Sequence, residues 1–575
     1  MAIEQVRALA ARAANGLTTG DDPVLAAEPV SPHHVDLPTP VAPDRNDRLR
    51  SQIILGAIVL LGLIGALVVV GTSPDYVMAP PVSWRFTVPF LRPGYGASSW
   101  YFGATFLIGV LALGAGWLLL MGHLGRSVAS EKRKLIAVFV ATGIWAAPFL
   151  AGPIQGSSDA YSYAAQGYMA TIGIDPSAHG PEAIPNHSSN EFWQAADVIW
   201  RKSPAPYGPV AVAANKVAVI LSGDDVTRSV FFIRFAAAIG VAMMGVGVYL
   251  IAVKRRVSPA VALVIAIANP VVLLHLIGGG HNDAVMAGLL CLGLAAWERS
   301  RKWLAVVLVC LAIMVKLPAI LALGLIAWNW SGAEADWKRR LRDLPVVGAV
   351  FAALVGVGCL AIGIGFGWIT ALSSTGSVYS TFSPSTKLGF ILADLLNVIG
   401  IDVNALTMVG VTRAIGLLVA GAIFGLVLIR SPRMGVTRAT GIALLTLMLA
   451  GPVIWPWYLP VGFALLAASG VRKLRPSMIV LIMASSLLVW PASVNAVVPL
   501  SRYQHWLGLL VVAIITGCCL GAQYMARSSD RRRLRGGTNV PRIDDVLIGP
   551  GAPAPVATTA TATAAGSDAA AELVG

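Results

Sequence analysis

Apolar residues in this chain gather into runs of about 16 to 24, the length a bilayer core demands of a helix. Such runs begin near Ile53, Trp100, Leu135, Ser229, Pro259, Ala284, Trp303, Leu344, Leu406, Ala439, Leu459, Ser477 and Trp506. Basic clusters separate them, at Arg45/Arg48/Arg50, Arg126/Lys132/Arg133/Lys134, Lys254/Arg255/Arg256, Arg299/Arg301/Lys302, Lys338/Arg339/Arg340/Arg342, Arg430/Arg433/Arg438, Arg472/Lys473/Arg475 and Arg527/Arg531/Arg532/Arg533. The positive-inside rule puts each on the cytoplasmic side. The number of crossings between any two clusters must then be even.

Parity has two consequences. Between Lys134 and Lys254 there is one exit, Leu135 to Leu150, and one return, Ser229 to Val253, so Val210 to Leu221 is left on the outer surface. Between Lys302 and Lys338 one helix would break parity, so Val315-Lys316-Leu317-Pro318 marks the tip of a short hairpin, with Pro318 as the break. Lys316 is then buried, or sits in a polar cavity open to the outside.

The pattern predicts an all-α polytopic membrane protein of about 12 to 14 transmembrane helices, multi-pass in the plasma membrane with both termini cytoplasmic. Residues 1–50 form a polar N-terminal segment without a signal-peptide core, 51–526 the membrane domain, and 527–575 a basic and then disordered tail rich in Ala, Thr and Pro. Two outward segments are sizeable, 152–228 and 367–405, and the first is too long to be a mere connector.

Composition agrees: 56% of the 575 residues are hydrophobic and 12% charged, with a mean hydropathy of +0.74, far from a soluble domain with about 25% charged residues. The net charge of +14 lies in topology clusters, not on a basic face, so no nucleic-acid partner is implied. Cys291, Cys310, Cys359, Cys518 and Cys519 have no metal-ligand spacing. Of the acids, none falls in the middle of a spanning run, where proton-coupled transporters usually need one. Asp75, Asp159, Asp175, Glu182, Glu191, Asp197, Asp224, Asp225, Asp283, Asp394 and Asp402 all fall outward by parity.

Four places carry candidate chemistry. Asp159, Tyr163 and Gln166 lie at i, i+4 and i+7 on one helical face, although Ser158 or Asp159 also suits a helix cap. Gly278-Gly-Gly-His281-Asn282-Asp283 allows close backbone approach and offers Asn282 or Asp283 to hydroxyls, or makes a tight turn with a cap. Lys316 is a charge inside an apolar run, which marks a functional site ahead of the alternative, snorkelling to the interface; Lys387, Arg413 and Arg502 are candidates to join it around an anion, although interfacial anchoring is the plainer use of each of these three. Trp455-Pro-Trp457-Tyr458-Leu-Pro460 suits stacking on a sugar or prenyl chain and suits an aromatic belt equally.

Five stretches together, GSSDAYSYAAQGY (156–168), SPAPYGPV (203–210), NPVVLLHLIGGGHNDAVMAG (269–288), VKLPA (315–319) and WPWYLP (455–460), resemble the polyprenyl-phosphomannose-dependent α-1,6-mannosyltransferases that build lipomannan in mycobacteria and corynebacteria. The long polar N-terminal extension is similar to the MptB type. The resemblance implies a GT-C glycosyltransferase fold whose large first outward loop carries short interfacial helices. It implies an active site on the outer face, a lipid-linked mannose donor (polyprenyl-phosphate-mannose) and a phosphatidylinositol-mannoside or lipomannan acceptor, with membrane lipids around it and no bound cofactor. By position Asp159 corresponds to the family's catalytic base. Tyr163, Gln166, Tyr207, His281, Asn282, Asp283, Lys316, Lys387, Arg413, Trp457, Tyr458 and Arg502 are expected to bind substrate. Two serines precede a lone Asp159 where many GT-C enzymes have paired acids, so no metal bridging two carboxylates is expected. A lipid-linked sugar flippase would also need many helices and an outward phosphate site, but not Asp159. A non-catalytic scaffold of a cell-envelope complex would need no particular outward carboxylate.

Overall fold

The computed structural model describes residues 45–72, 99–372, 379–380, 382–488 and 505–534. The sequence expectations for Asp75, for Arg502 and for the tail beyond Leu534 lie outside them. Residues 1–49 and 50–575 are two separate units, and of the first only the opening turn of one helix is described.

Every described element is helical. The first three helices are α1 (Arg45–Thr72), α2 (Ser99–Arg126) and α3 (Glu131–Ala151). The first long loop holds α4 (Asp159–Thr171) and α5 (Pro209–Ser222), with short turns at Pro181–Ala183, His187–Ser189 and Glu191–Ala195 between them. Then come α6 (Val226–Lys254), α7 (Pro259–Ala266), α8 (Asp283–Glu298), α9 (Lys302–Ile313), α10 (Ile320–Trp328) and α11 (Trp337–Ile362). The chain finishes with α12 (Pro384–Val398), α13 (Ala405–Met434), α14 (Val436–Ala450), α15 (Pro460–Ala468), α16 (Arg475–Leu488) and α17 (His505–Leu534).

Among the described residues seven helices, α1, α2, α3, α6, α11, α13 and α17, are long and apolar enough to cross a membrane. Among the described residues the remaining apolar runs fold into shorter pieces, so seven of the twelve to fourteen spans expected from hydropathy are seen as single long helices. Proline is the physical reason in the clearest cases. The run from Pro259 breaks at Pro270 and resumes as a π-helical turn over Val272–Ile277. Asn269 patches that break: its Nδ2 donates to Ile265 O at 2.8 Å and its Oδ1 accepts from Val272 N at 3.0 Å, which re-satisfies backbone groups freed where no water is at hand.

The hairpin expected from parity is present. Helices α9 and α10 are separated by a turn at Leu317–Ala319, and their far ends meet. The Trp303 and Trp330 rings are 4.8 Å apart and Lys302 Nζ donates to Trp330 O at 2.5 Å. Arms of 12 and 9 residues fall well short of the about 20 needed to span. The 14 residues of α5 are also too few, in keeping with a helix that does not cross.

Helices α6 and α8 approach backbone to backbone. A Cβ on Gly240 would lie 2.5 Å from the Ala284 backbone, and one on Gly247 2.5 Å from that of Cys291. Small residues at this crossing let membrane helices pack without a hydrophobic driving force between them. Beside them α7 is buried on all sides from Ala260 to Ala266, and Trp117 of α2 donates its Nε1 to Val264 O at 2.9 Å. At the opposite end of α8, Glu298 accepts from Arg255 Nη2 at 2.6 Å and from Thr437 Oγ1 at 2.5 Å, tying the ends of α6 and α8 to the start of α14. That scaffold fixes the end of α8 where Asp283 sits.

Candidate active site

Asp159 opens α4, but neither it nor Ser158 caps the helix with its side chain. The Asp159 carboxylate turns away from the helix: Oδ1 accepts from Trp200 Nε1 at 3.1 Å and Oδ2 lies 3.7 Å from His281 Nδ1. Ser158 Oγ donates to Asp197 Oδ2 at 2.7 Å, so the turn Asp197–Trp200 folds back over the start of α4. The glycine loop packs against the same place. Gln155 N donates to Gly278 O at 3.1 Å, and Gly280, at φ +66°, has no room for a Cβ, which would lie 2.9 Å from Arg234 Cγ.

Asn282 and Asp283 likewise make no side-chain cap on α8. Asp283 Oδ2 instead receives Lys316 Nζ at 2.7 Å from the hairpin tip. Lys316 Nζ also stands 4.2 Å from the Tyr458 ring and 5.9 Å from that of Tyr207. Lys316 is therefore neither an interfacial anchor nor a bare cation: it is part of an ion pair roofed by aromatic rings. Tyr163 OH links to Tyr207 OH at 3.3 Å and to His281 Nδ1 at 3.5 Å. His281 in turn stacks on Trp457 at 3.9 Å, and Trp457 on Trp455 at 5.0 Å.

Together these side chains border a cavity of about 50 Å³ lined by Asp159, Ser162, Tyr163, Gln166, Trp200, Ser203, Tyr207, Trp455 and Tyr458, with Pro204, Pro206 and Val453. Burial pushes the Asp159 carboxyl from its ordinary 3.8 up to about 6, against the Trp200 hydrogen bond and the positive charge of Lys316, which hold it down. Burial also pushes the Tyr207 hydroxyl well above its ordinary value, so it stays a neutral donor. A carboxylate poised near neutrality in a polar cleft is suited to taking a proton.

Of the residues expected to bind substrate, Tyr163, Gln166, Tyr207 and Tyr458 line this cavity, and His281, Asp283 and Lys316 lie directly behind its wall. Asn282 is buried at the start of α8. Trp457 is buried against His281 and Trp455, and the neighbouring Trp455 and Tyr458 line the cavity. Lys387 and Arg413 form a different cluster. Arg413 Nε donates to Thr386 Oγ1 at 2.9 Å and stands 4.7 Å from the Tyr379 ring, while Lys387 Nζ is 3.5 Å from His505 Nδ1. The segment 451–455 lies between the clusters: Gly451 O and Pro452 O accept from Ser385 and Thr386, and Val453 and Trp455 line the Asp159 cavity. Arg502 lies outside the described residues. Trp200, Asp197 and Ser162 escaped sequence reasoning. Ser162 shares the Asp159 face of α4, a signal the i, i+3 spacing carries, whereas Trp200 and Asp197 come from a loop with no period. Among the described residues no group of three or more His, Cys, Asp or Glu is placed to hold a metal ion.

The helices and this carboxylate-lined cleft define a multi-pass membrane protein with an enzyme-like pocket. The chain belongs to the alpha-(1->6)-mannopyranosyltransferase family: residues 59–332 match the model of that family's N-terminal domain and residues 385–520 the MptB C-terminal domain. It is 30% identical over 399 residues to a probable alpha-(1->6)-mannopyranosyltransferase of Mycolicibacterium smegmatis, covering 63% of this chain and 70% of that one. It is 29% identical to alpha-(1->6)-mannopyranosyltransferase A of Mycobacterium tuberculosis, over 75% of this chain and 82% of that one. To alpha-(1->6)-mannopyranosyltransferase B of Corynebacterium glutamicum it is 29% identical, over 61% of this chain and 63% of that one. No solved structure matches. The first family match contains Asp159, His281, Asp283 and Lys316, and the second Lys387, Arg413 and Trp457.

Proposed function

We propose that this chain is an inverting membrane mannosyltransferase of the GT-C class. It moves mannose from polyprenyl-phosphate-mannose to the 6-hydroxyl of a lipomannan-type acceptor on the outer face of the membrane. The observation that carries this reading is the Asp159 carboxylate, drawn up to about 6 at the edge of a polar cavity; the named activity of the relatives supports the sugar and the linkage.

A β-linked mannosyl phosphate that gives an α-linked product inverts in one displacement. Asp159 takes the proton of the acceptor hydroxyl as its oxygen attacks C1, and the C1–O bond to phosphate breaks. A glycosidase needs a second carboxyl as acid, but a phosphate departs without protonation. It calls for cations, and Lys316, beside Tyr207 and Tyr458 of the cavity wall, favours growing negative charge there. Its partner Asp283 moderates that charge, and Lys387 and Arg413 across segment 451–455 supply further positive charge for the donor phosphate.

The test is transfer from polyprenyl-phosphomannose to a short α-1,6-mannoside in detergent, with native protein and Asp159→Asn at matched folding. Asp159→Asn is expected to lose about three orders of magnitude in rate, the upper part of the range for proton-transfer catalysis, while still binding donor. A near-native rate in the variant sinks the assignment of the base. Donor binding without transfer by the native protein points to a flippase, which has no task where no membrane separates two sides.

A further inference from the structure

We propose that Ser162 and Gln166 bind the acceptor sugar, taking two of its ring hydroxyls beside the one that Asp159 deprotonates; this rests on the reading of Asp159 as the base. Asp159, Ser162 and Gln166 are at i, i+3 and i+7 on α4 and so point the same way. All three line the same cavity. Ser162 is 2% and Gln166 4% exposed, yet among the described residues Ser162 Oγ and Gln166 Oε1 have no hydrogen-bond partner. Buried polar atoms are seldom left unpaired, because burial strips them of water. The cleft is thus short of partners that a hydroxylated ligand brings with it.

The chemistry of the two atoms narrows that ligand. A carbonyl oxygen only accepts, so Gln166 Oε1 calls for a hydroxyl that donates, whereas Ser162 Oγ both donates and accepts. Side chains one turn apart suit neighbouring hydroxyls of one ring. Trp200, Trp455 and Tyr458 line the same cavity and offer apolar ring surface to the C–H face of a pyranose. Among the described lining residues there is no Lys or Arg, and Asp159 is the sole charged group; Lys316 stands behind the wall, paired with Asp283. A neutral, hydroxylated sugar suits the part of the cavity bordered by Ser162 and Gln166, and the donor phosphate suits the wall behind which Lys316 stands.

The experiment titrates α-1,6-mannobiose, and its singly deoxygenated analogues, into full-length protein in detergent on the Asp159→Asn background, where turnover does not interfere. Adding Ser162→Ala or Gln166→Leu is expected to weaken mannobiose binding about tenfold each and to leave donor binding within about twofold. One deoxy analogue should lose affinity for Asp159→Asn but lose nothing more when its protein partner is already gone. Equal losses for every analogue in every variant overturn the proposal, as does a fall in donor binding in place of acceptor binding. Ser162→Ala deletes one atom and guards against a folding artefact, and Gln166→Glu, which keeps an accepting oxygen, should retain binding that Gln166→Leu loses. If Asp159→Asn alone still transfers mannose at a near-native rate, the base assignment falls, and these titrations still read Ser162 and Gln166 independently.

Discussion

Asp159 is held by forces of opposite sign. Withdrawal from water raises its carboxyl to about 6, while Trp200 and Lys316 favour the charged form. If Asp159 is the base, as proposed, it works deprotonated, and kcat/KM for transfer should climb with pH through a midpoint near 6 and level off above it. Trp200→Phe removes the hydrogen bond that stabilises the anion, so the midpoint should move upward. The variant should be most impaired near pH 6 and recover toward the native rate as pH rises. A pH–rate profile with an unmoved midpoint would reduce Trp200 to a space filler. Asp159, Tyr163 and Gln166 are readable from sequence because one helix periodicity brings them together. Trp200 is not: it reaches Asp159 across 41 residues by loop closure, which leaves no spacing to read.

The hairpin α9–α10 is the element that sequence reveals best, since charge parity demands a return and Pro318 says where. What parity does not disclose is the partner of Lys316, 33 residues back in the chain, because the approach of the hairpin tip to the start of α8 is a product of packing. The pair is well shielded, with side chains 13% and 4% exposed. Removing one member of such a pair strands the other, at a cost of about 3 to 5 kcal/mol. Lys316→Met should therefore lower the thermal midpoint in detergent markedly. Lys316→Met/Asp283→Asn should regain most of that stability, because no lone charge remains, but transfer should stay low. Recovery of transfer together with stability would show that the pair serves folding alone.

At the scale of the whole molecule, hydropathy reads the all-helical membrane architecture correctly but counts apolar runs instead of helices able to span. Pro270 and Pro318 divide runs that a hydropathy window treats as continuous. The basic clusters predict a sidedness that is open to direct measurement. Ile199, 60% exposed on the Asp197–Trp200 turn, and Trp337, 62% exposed beside Lys338 and Arg339, belong to opposite faces under the positive-inside rule. An impermeant maleimide should label Ile199→Cys in intact cells and Trp337→Cys only after permeabilisation. The reverse pattern would turn the active site toward the cytoplasm. The hairpin also sets a depth. Arms of 12 and 9 residues reach about 18 and 14 Å at 1.5 Å per residue, roughly half of a hydrocarbon core about 30 Å thick. Under the sidedness that the basic clusters predict, its tip, with Lys316, would stand about halfway through the core, behind the wall of the Asp159 cavity. A sugar tethered to a membrane lipid needs only to slide sideways and dip to that depth, whereas a sugar carried by a water-borne nucleotide must leave its hydration behind. On that placement, depth would favour substrates that already live in the membrane.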